Sequence, residues 1–115
     1  MPVGNWKQMP AQQVDAQGLA GVSKRVTIGP KDGWEGWVMR VFELAPGGHT
    51  PKHRHPWPHV NLVLEGEGTL QLDGADNALG AGGYAFVPAG AEHQFRNDSR
   101  SVFVFMCIVP EEGDK

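Results

Sequence analysis

The sequence lacks a second cysteine, any cluster of basic residues and any long apolar run. Cys107 therefore has no partner in the chain for a disulfide. The formal net charge is −3 and the longest basic run is Lys24-Arg25, which argues against nucleic acid or an anionic membrane as a partner. The longest apolar stretch, 102–109, is too short to span a bilayer, and the first residues lack the apolar segment of a secretory signal. These features predict a soluble cytoplasmic protein that binds neither nucleic acid nor membrane.

Helix-forming segments are also scarce. Sixteen glycines and nine prolines lie between Val-, Leu- and Phe-rich runs, a pattern that breaks helices and favours short strands joined by tight turns. Strands are predicted at 23–28, 36–45, 59–64, 69–72, 84–87, 93–96 and 102–109, with turns at 29–30, 46–48, 73–76, 82–83 and 88–90. The pattern predicts an all-β antiparallel sandwich or barrel.

The length of 115 residues fits one domain. Residues 1–22 are polar and weakly patterned, so we expect an N-terminal arm followed by a single barrel domain over 23–115. Several strands, including 102–109, are apolar on both faces, and the face outside the barrel must also be covered. We therefore expect a homodimer, in which a second subunit covers that face.

Two histidines stand at the spacing of a metal site. His53 and His55 are two residues apart, and alternate side chains of an extended strand point to the same face, as two ligands of one ion require. His59 keeps the same parity after two prolines. A surface strand with solvated imidazoles explains the same spacing, and the spacing alone does not separate the two interpretations.

A second patterned block makes the sequence resemble the cupin family. The second cupin motif runs glycine, five residues, Pro-x-Gly, two residues, histidine, three residues, asparagine, and its positions are matched by Gly82, Pro88, Gly90, His93 and Asn97. The first motif runs glycine, five residues, His-x-His, three or four residues, glutamate, six residues, glycine, and is matched by Gly47, His53, His55 and Gly66. The resemblance implies a double-stranded β-helix, or jelly-roll barrel, with the motif histidines as metal ligands. Asn97 is expected to hydrogen-bond the backbone of its turn.

The chain departs from the first motif at the glutamate. His59 stands there at the three-residue spacing and Val60 at the four-residue spacing. His59 resembles the fourth ligand of small bacterial cupins that bind manganese through four histidines, here His53, His55, His59 and His93. The resemblance implies one divalent ion per chain, manganese first, although iron, copper, nickel and zinc also suit imidazole. The alternative is a solvated His59 beside a three-histidine site. His49 matches no motif position and is expected to be exposed.

Four neutral imidazoles leave the 2+ charge of an ion uncompensated, so the ion should be a strong Lewis acid that favours an anionic ligand. On an octahedral ion, four protein ligands leave two positions for water, oxygen, peroxide or a chelating substrate. A tetrahedral zinc ion would be closed by the same ligands.

Three side chains are expected to line the cavity of the barrel. Phe105 and Cys107 share strand parity, and Trp57 lies between two prolines beside the ligands, where it could gate the mouth. A hydrophobic cap or dimer contact is the alternative role for Trp57. Polar candidates for the cavity wall, whose register the parity leaves open, are Arg40, Asn61 and Gln71.

No acid–base pair or nucleophilic triad accompanies the histidines. The first functional hypothesis is therefore a metalloenzyme that carries out oxygen- or peroxide-dependent, dioxygenase-like oxidation of a small organic substrate. Cupins also include isomerases, decarboxylases and non-catalytic binders, so catalysis itself is left open. The alternative is a small-molecule-binding or metal-sensing module without turnover.

Overall fold

The computed structural model describes residues 2–114, which form an all-β, nearly closed antiparallel barrel. Its strands are β1 (Gln12–Gln13), β2 (Ala20–Ile28), β3 (Trp37–His49), β4 (His59–Glu65), β5 (Glu67–Leu72), β6 (Ala75–Gly80), β7 (Tyr84–Val87), β8 (His93–Arg96) and β9 (Phe103–Pro110). Short 3-10 helices span Trp6–Gln8, Pro30–Asp32 and Glu111–Asp114. Within this part of the chain no helix is long and apolar enough to cross a membrane.

The long strand β3 connects the two walls of the barrel. The hydrogen-bonded order is β6-β5-β8-β3-β9-β4-β7, and β2 also pairs with β3. Residues 37–44 of β3 pair with β9, whereas its last residue, His49, pairs with Arg96 of β8. The predicted antiparallel barrel is confirmed, and each of the seven predicted strands overlaps an observed one.

Alternation along the strands fills the barrel. In β9, Phe103, Phe105, Cys107 and Val109 are buried, and burial alternates from Phe105 onwards, although Val104 is buried as well. Phe105 stacks on Phe95 from the opposite wall, with 4.2 Å between ring centroids. In β4 the buried positions are His59, Asn61 and Val63, so the same alternation that builds the core aims two polar side chains inward.

The hairpin β5–β6 was not predicted. Residues 73–76 were expected to be a turn, but the turn is only Asp73-Gly74, and β6 starts at Ala75. Both turn residues have positive φ, 48° and 82°, as a two-residue hairpin loop requires. The strand β6 has no apolar run and forms because it pairs in full register with β5.

The predicted turn at 46–48 is also wrong, because β3 continues through it. Gly47 has φ 80° and its N–H donates to the Asn97 carbonyl, while the Asn97 N–H donates to the Gly48 carbonyl, both at 2.9 Å. This pairing carries β3 on to His49, which is half-buried rather than exposed as expected. The segment expected to be an arm supplies β1 and the start of β2, and its Val14 and Leu19 pack on the core.

Candidate metal centre

The segment 50–58 is held against β8 so that its histidines face the mouth of the barrel. The His53 N–H donates to the His93 carbonyl at 3.1 Å, and the His93 N–H donates to the His53 carbonyl at 2.9 Å. This pair of bonds forms an isolated antiparallel bridge. His55 lies two residues further along, and its carbonyl accepts from Gly90 at 2.8 Å. The backbone therefore fixes both histidines of the His-x-His motif relative to β8.

The other two histidines begin strands. His59 is the first residue of β4 and His93 the first residue of β8, and both are buried. They lie on facing walls, because β4 and β8 are separated in the sheet order by β3 and β9. Residues from both walls therefore converge at one end of the barrel.

The four imidazoles form one cluster. Possible ligand atoms of His53, His55 and His93 all lie within 4.8 Å of one another. His59 is not part of that mutual set, but its Nε2 lies 3.2 Å from Nε2 of His93, and its ring centroid is 5.4 Å from that of His55. His49, by contrast, contacts the Thr50 carbonyl and Gln94 and is not part of the cluster.

Hydrogen bonds at Nδ1 orient three of the rings. Nδ1–H of His55 donates to the Trp57 carbonyl at 2.9 Å, that of His93 to the Ala91 carbonyl at 3.0 Å, and that of His59 to Asn61 Oδ1 at 2.7 Å. A carbonyl oxygen only accepts, so the proton of each neutral ring is on Nδ1. Nε2 of each ring then carries no proton and has a free lone pair, which a metal ligand requires.

The surroundings of His53, His59 and His93 favour their neutral forms. Burial, and then the neighbouring His93 and His55, lower the pKa of His53 from 6.5 to about 4. Burial lowers the pKa of His59 to about 3, against the opposing hydrogen bond to Asn61. Burial also lowers the pKa of His93, and its bond to the Ala91 carbonyl opposes the shift. Neutral imidazole is the form that binds a metal ion.

The donor set fits a metal ion. Two Nε2 lone pairs facing each other at 3.2 Å repel, because neither ring carries the proton that would join them. A cation near both atoms removes that repulsion and is bound by them. The rigid Nδ1 partners are the second layer of contacts that metal-binding histidines usually have.

A cavity of about 380 Å³ extends from the histidines into the barrel. Trp57, Phe105 and Cys107, the side chains expected to line it, are among its wall residues. Trp57 stacks on His55, with ring centroids 4.7 Å apart and planes at 12°. The orientation of the Trp57 ring therefore depends on His55, one of the clustered histidines.

A polar row crosses the cavity wall beyond the histidines. Arg40 of β3 pairs with Cys107 of β9, which pairs with Asn61 of β4, and all three residues line the cavity. Arg40 Nη2 lies 3.2 Å from Cys107 Sγ. Burial raises the pKa of the Cys107 thiol, with the Arg40 guanidinium opposing the shift, so the thiol stays protonated at neutral pH. Gln71, the third polar candidate, does not line this cavity.

Sequence reasoning missed the C-terminal contribution to the site. Gly113 lines the cavity, and its carbonyl lies 3.4 Å from Arg40 Nη1, while the Asp114 carboxylate lies 3.5 Å from the same nitrogen. The segment 110–114 has no strand pattern or motif, so only the fold brings it to Arg40. Val14 and Leu19 of the N-terminal segment also line the cavity, and no hydrophobic periodicity in that segment predicted their position.

The fold and sequence match known proteins. A family model described as Cupin domain, Cupin_2, matches residues 40–109. The polyketide cyclase RemF from Streptomyces resistomycificus overlays with a TM-score of 0.89 at 31% identity, covering 96% of this chain and 79% of that chain. This neighbour shares both the barrel and a substantial fraction of its residues.

Two characterised relatives are also similar in sequence. The 1-methylthio-D-xylulose 5-phosphate methylsulfurylase of Rhodospirillum rubrum is 34% identical over 77 residues, which is 67% of this chain and 49% of that protein. The dimethylsulfoniopropionate lyase DddW of Ruegeria pomeroyi is 38% identical over 56 residues, 49% of this chain and 37% of that protein. The chain therefore spans less than half the length of these relatives.

Proposed function

The chain belongs to the Cupin_2 domain family, and from that premise we propose that it is a metal-dependent enzyme acting on a small organic substrate. The ligands in this proposal are His53, His55, His59 and His93. The observation that carries it is the 3.2 Å approach of two Nε2 lone pairs whose Nδ1 atoms already donate to oxygen acceptors. A cation held between the two Nε2 atoms makes that approach favourable.

The proposed cofactor is one divalent ion per chain, with manganese as the first candidate because the sequence resembles four-histidine manganese cupins. Iron, copper, nickel and zinc also bind imidazole, and their availability to the protein decides which is loaded. A bound ion would supply Lewis acidity and open coordination positions, with its charge uncompensated by any protein carboxylate. The chain supplies the remaining functions: the Nδ1 acceptors hold the rings, and Trp57 and the apolar walls exclude water.

The first candidate reaction is non-oxidative bond cleavage or ring closure. A lyase and a cyclase are among the similar proteins, and a Lewis acid favours such reactions where an oxyanion develops. The four-imidazole set favours this role, because the ion keeps its full charge. Arg40 and Asn61 in the cavity wall add further donors for a developing negative charge.

Oxidation, the reaction expected from the sequence, is the second candidate. Among the described residues that line the cavity, none is aspartate or glutamate. A reaction that depends on a side-chain carboxylate as general base is therefore poorly supported. Oxygen- or peroxide-dependent chemistry has less need of such a base.

Oxygen dependence separates the two candidates. Metal-loaded protein is incubated with acetylacetone, a small molecule that forms an enolate, with and without oxygen, and products are followed by mass spectrometry alongside oxygen uptake. Products formed without oxygen support the first candidate, and products formed only with oxygen uptake support the second. Binding of acetylacetone without product supports the non-catalytic binding module.

We also propose a homodimer formed through the outer face of the barrel. On β4 and β7 the outward side chains Val60, Tyr84 and Phe86 are 42%, 82% and 58% exposed. Val60 pairs with both Phe86 and Ile108, so these apolar side chains form one row across three strands. An apolar row of this kind is costly to leave in water and suits a second copy of the same face. The proposed location is the cytoplasm.

A further inference from the structure

We propose that Arg40 and Asn61 form a recognition site for an anionic oxygen, a carboxylate or an enolate, of a ligand that also reaches the metal centre. This inference rests on the proposed function for the metal and adds the chemical class of the ligand. It concerns two side chains that no cupin motif contains.

The two side chains are placed together by strand register. Arg40 and Asn61 are the outer members of the row Arg40–Cys107–Asn61, on three neighbouring strands. The row lies two residues along β4 from His59, and Asn61 Oδ1 accepts the Nδ1 proton of that histidine. The amide group of Asn61 is therefore fixed next to the metal centre, with its nitrogen as the remaining polar atom.

Both side chains have a buried donor with no oxygen or nitrogen acceptor. Nε of Arg40 and Nδ2 of Asn61 are buried atoms without such a partner, and the amide of Asn61 is next to the Cys107 thiol, which is only a weak acceptor. Asn61 as a whole is only 4% exposed. An unpaired buried donor costs about 1–3 kcal/mol in a folded protein, and a ligand or water molecule that accepts from it removes that cost. The partner must be an acceptor, because both atoms donate.

The charge of the site selects an anion. Arg40 Nη1 is 3.5 Å from the Asp114 carboxylate, but that carboxylate is also 2.7 Å from Lys24 Nζ. One negative group therefore faces two positive ones, and the wall residues in the described chain include no acid. Arg40 also lies over the Phe42 ring, 4.8 Å from its centroid, which holds the guanidinium without neutralising it. With a divalent ion bound, the excess positive charge becomes larger.

The rest of the wall is apolar and limits the ligand's size. Beyond the polar row, Phe42, Phe95 and Phe105 line the cavity, whose volume is about 380 Å³. The volume accommodates a small molecule with an aromatic ring or a short carbon chain. The ligand class is therefore a compact, mostly apolar acid or β-dicarbonyl compound.

The test uses benzoate as the anionic probe and benzamide as its neutral counterpart of the same shape. Binding to metal-free and metal-loaded protein is measured by calorimetry, and the Arg40 Nε–H resonance is followed by NMR. We expect benzoate to bind and to shift that resonance, and benzamide to bind at least about tenfold more weakly, since a charge-assisted bond is lost.

Three variants locate the effect. Arg40→Gln removes the charge and Nε, and Asn61→Asp keeps the acceptor for His59 but replaces the free donor with a carboxylate oxygen. Arg100→Gln removes one positive charge from an exposed position outside the cavity and is the matched control. We expect the first two variants to weaken benzoate binding at least about tenfold and the control to leave it unchanged.

Metal content and thermal unfolding of each variant are measured in parallel. Equal binding of benzoate and benzamide, unchanged benzoate binding in the folded Arg40→Gln and Asn61→Asp variants, or no benzoate binding at millimolar concentration overturns the proposal. A metal-loaded protein with any of these results leaves the proposed metal centre intact. A protein that binds benzoate through Arg40 but takes up no metal contradicts the proposed function alone.

Discussion

At the scale of single residues, the tautomers of His55, His59 and His93 follow from the oxygen atoms that their Nδ1 atoms contact. Trp57 and Ala91 present backbone carbonyls, and Asn61 presents an amide oxygen, so Nε2 is the free atom in three rings. The identity of the histidines could be predicted from motif spacing. Their Nδ1 partners could not, because Asn61 and the two carbonyls lie two residues from the histidines in an order that no cupin motif specifies.

The lowered histidine pKa values predict how stability depends on pH. The unfolded value is 6.5, whereas the pKa is about 4 for His53 and about 3 for His59. As pH falls below about 6.5, the unfolded chain binds protons that the folded chain does not, so the free energy of unfolding of metal-free protein should fall. Above about pH 6.5 these two histidines are neutral in both the folded and the unfolded chain, so they do not make the free energy of unfolding depend on pH.

Chemical denaturation of chelator-treated protein, at a series of pH values from about 8 down to 5, measures this dependence. The double variant His53→Gln, His59→Gln removes both groups and should flatten the slope between pH 6.5 and 5. An equally steep slope in the double variant would contradict the assignment to these two histidines.

Asn97 illustrates a motif residue with a structural role. Its side chain is fully buried and donates to the carbonyls of Leu44 and Ser101 at 2.9 and 2.7 Å, and its Oδ1 accepts from Ser99. The expectation that Asn97 binds the backbone of its turn is confirmed and extended, because Leu44 belongs to a different strand. The motif predicted the residue and the turn, but not the contact between strands.

Replacing Asn97 with alanine should lower the free energy of unfolding by about 3 kcal/mol, since the buried Leu44 carbonyl and the partly buried Ser101 carbonyl lose their donor and the fully buried side chain leaves a cavity. Asn77→Ala is the control, because Asn77 also donates to two backbone carbonyls but its side chain is exposed. Denaturant titration of both variants makes the comparison. Similar losses in the two would show that burial does not determine the effect.

At the scale of elements, strands rich in apolar residues could be predicted from the sequence, and a polar strand could not. The predicted strands 59–64 and 102–109 differ from β4 and β9 by no more than one residue at each end, because apolar residues mark both runs. The strand β6 was missed, since its side chains are mostly exposed and polar. The Asp73-Gly74 pair was the available signal, and a two-residue hairpin loop implies a strand on both sides.

Two glycines with the same backbone strain allow a test of close packing at the β4–β5 junction. Gly66 and Gly82 have φ of 76° and 87°. A Cβ at Gly66 would overlap the Val102 carbonyl oxygen, whereas at Gly82 it would meet open space. Gly82→Ala should therefore cost only the strain of a left-handed backbone, about 1 kcal/mol.

Gly66→Ala should cost roughly 3 kcal/mol or more, because the carbonyl of Val102 must also move. Thermal unfolding of the two variants at one pH measures the difference. Equal melting temperatures would show that the Val102 carbonyl moves aside at little cost, contrary to the packing described.

At the scale of the whole molecule, the barrel could be predicted, but not how its cavity closes. Motif order and strand number indicated the jelly roll, while Val14, Leu19 and Gly113 reach the cavity from the two ends of the chain. Such contacts depend on how the termini fold back on the barrel, and neither terminal segment has a periodic pattern. The expected apolar outer face of the barrel is present, and the second subunit that would cover it stays a prediction.

The proposed dimer should have twice the 12.5 kDa mass of the chain, about 25 kDa, by light scattering at micromolar concentration. Phe86→Glu places a charge in the centre of the exposed row and should give the monomer mass. Ala78→Glu, on exposed β6, is the matched control and should leave the dimer intact. A monomer in the unmodified protein would contradict the dimer and leave the barrel and its histidines as described.

The most direct test of the four-histidine centre is metal content. Protein purified without chelator is analysed by inductively coupled plasma mass spectrometry beside His59→Ala and the control His49→Ala, whose imidazole lies outside the cluster. We expect near one equivalent of a transition metal in the unmodified protein and in His49→Ala, and a clear loss in His59→Ala. Little metal in any of the three, or an unchanged equivalent in folded His59→Ala, would contradict the four-histidine centre.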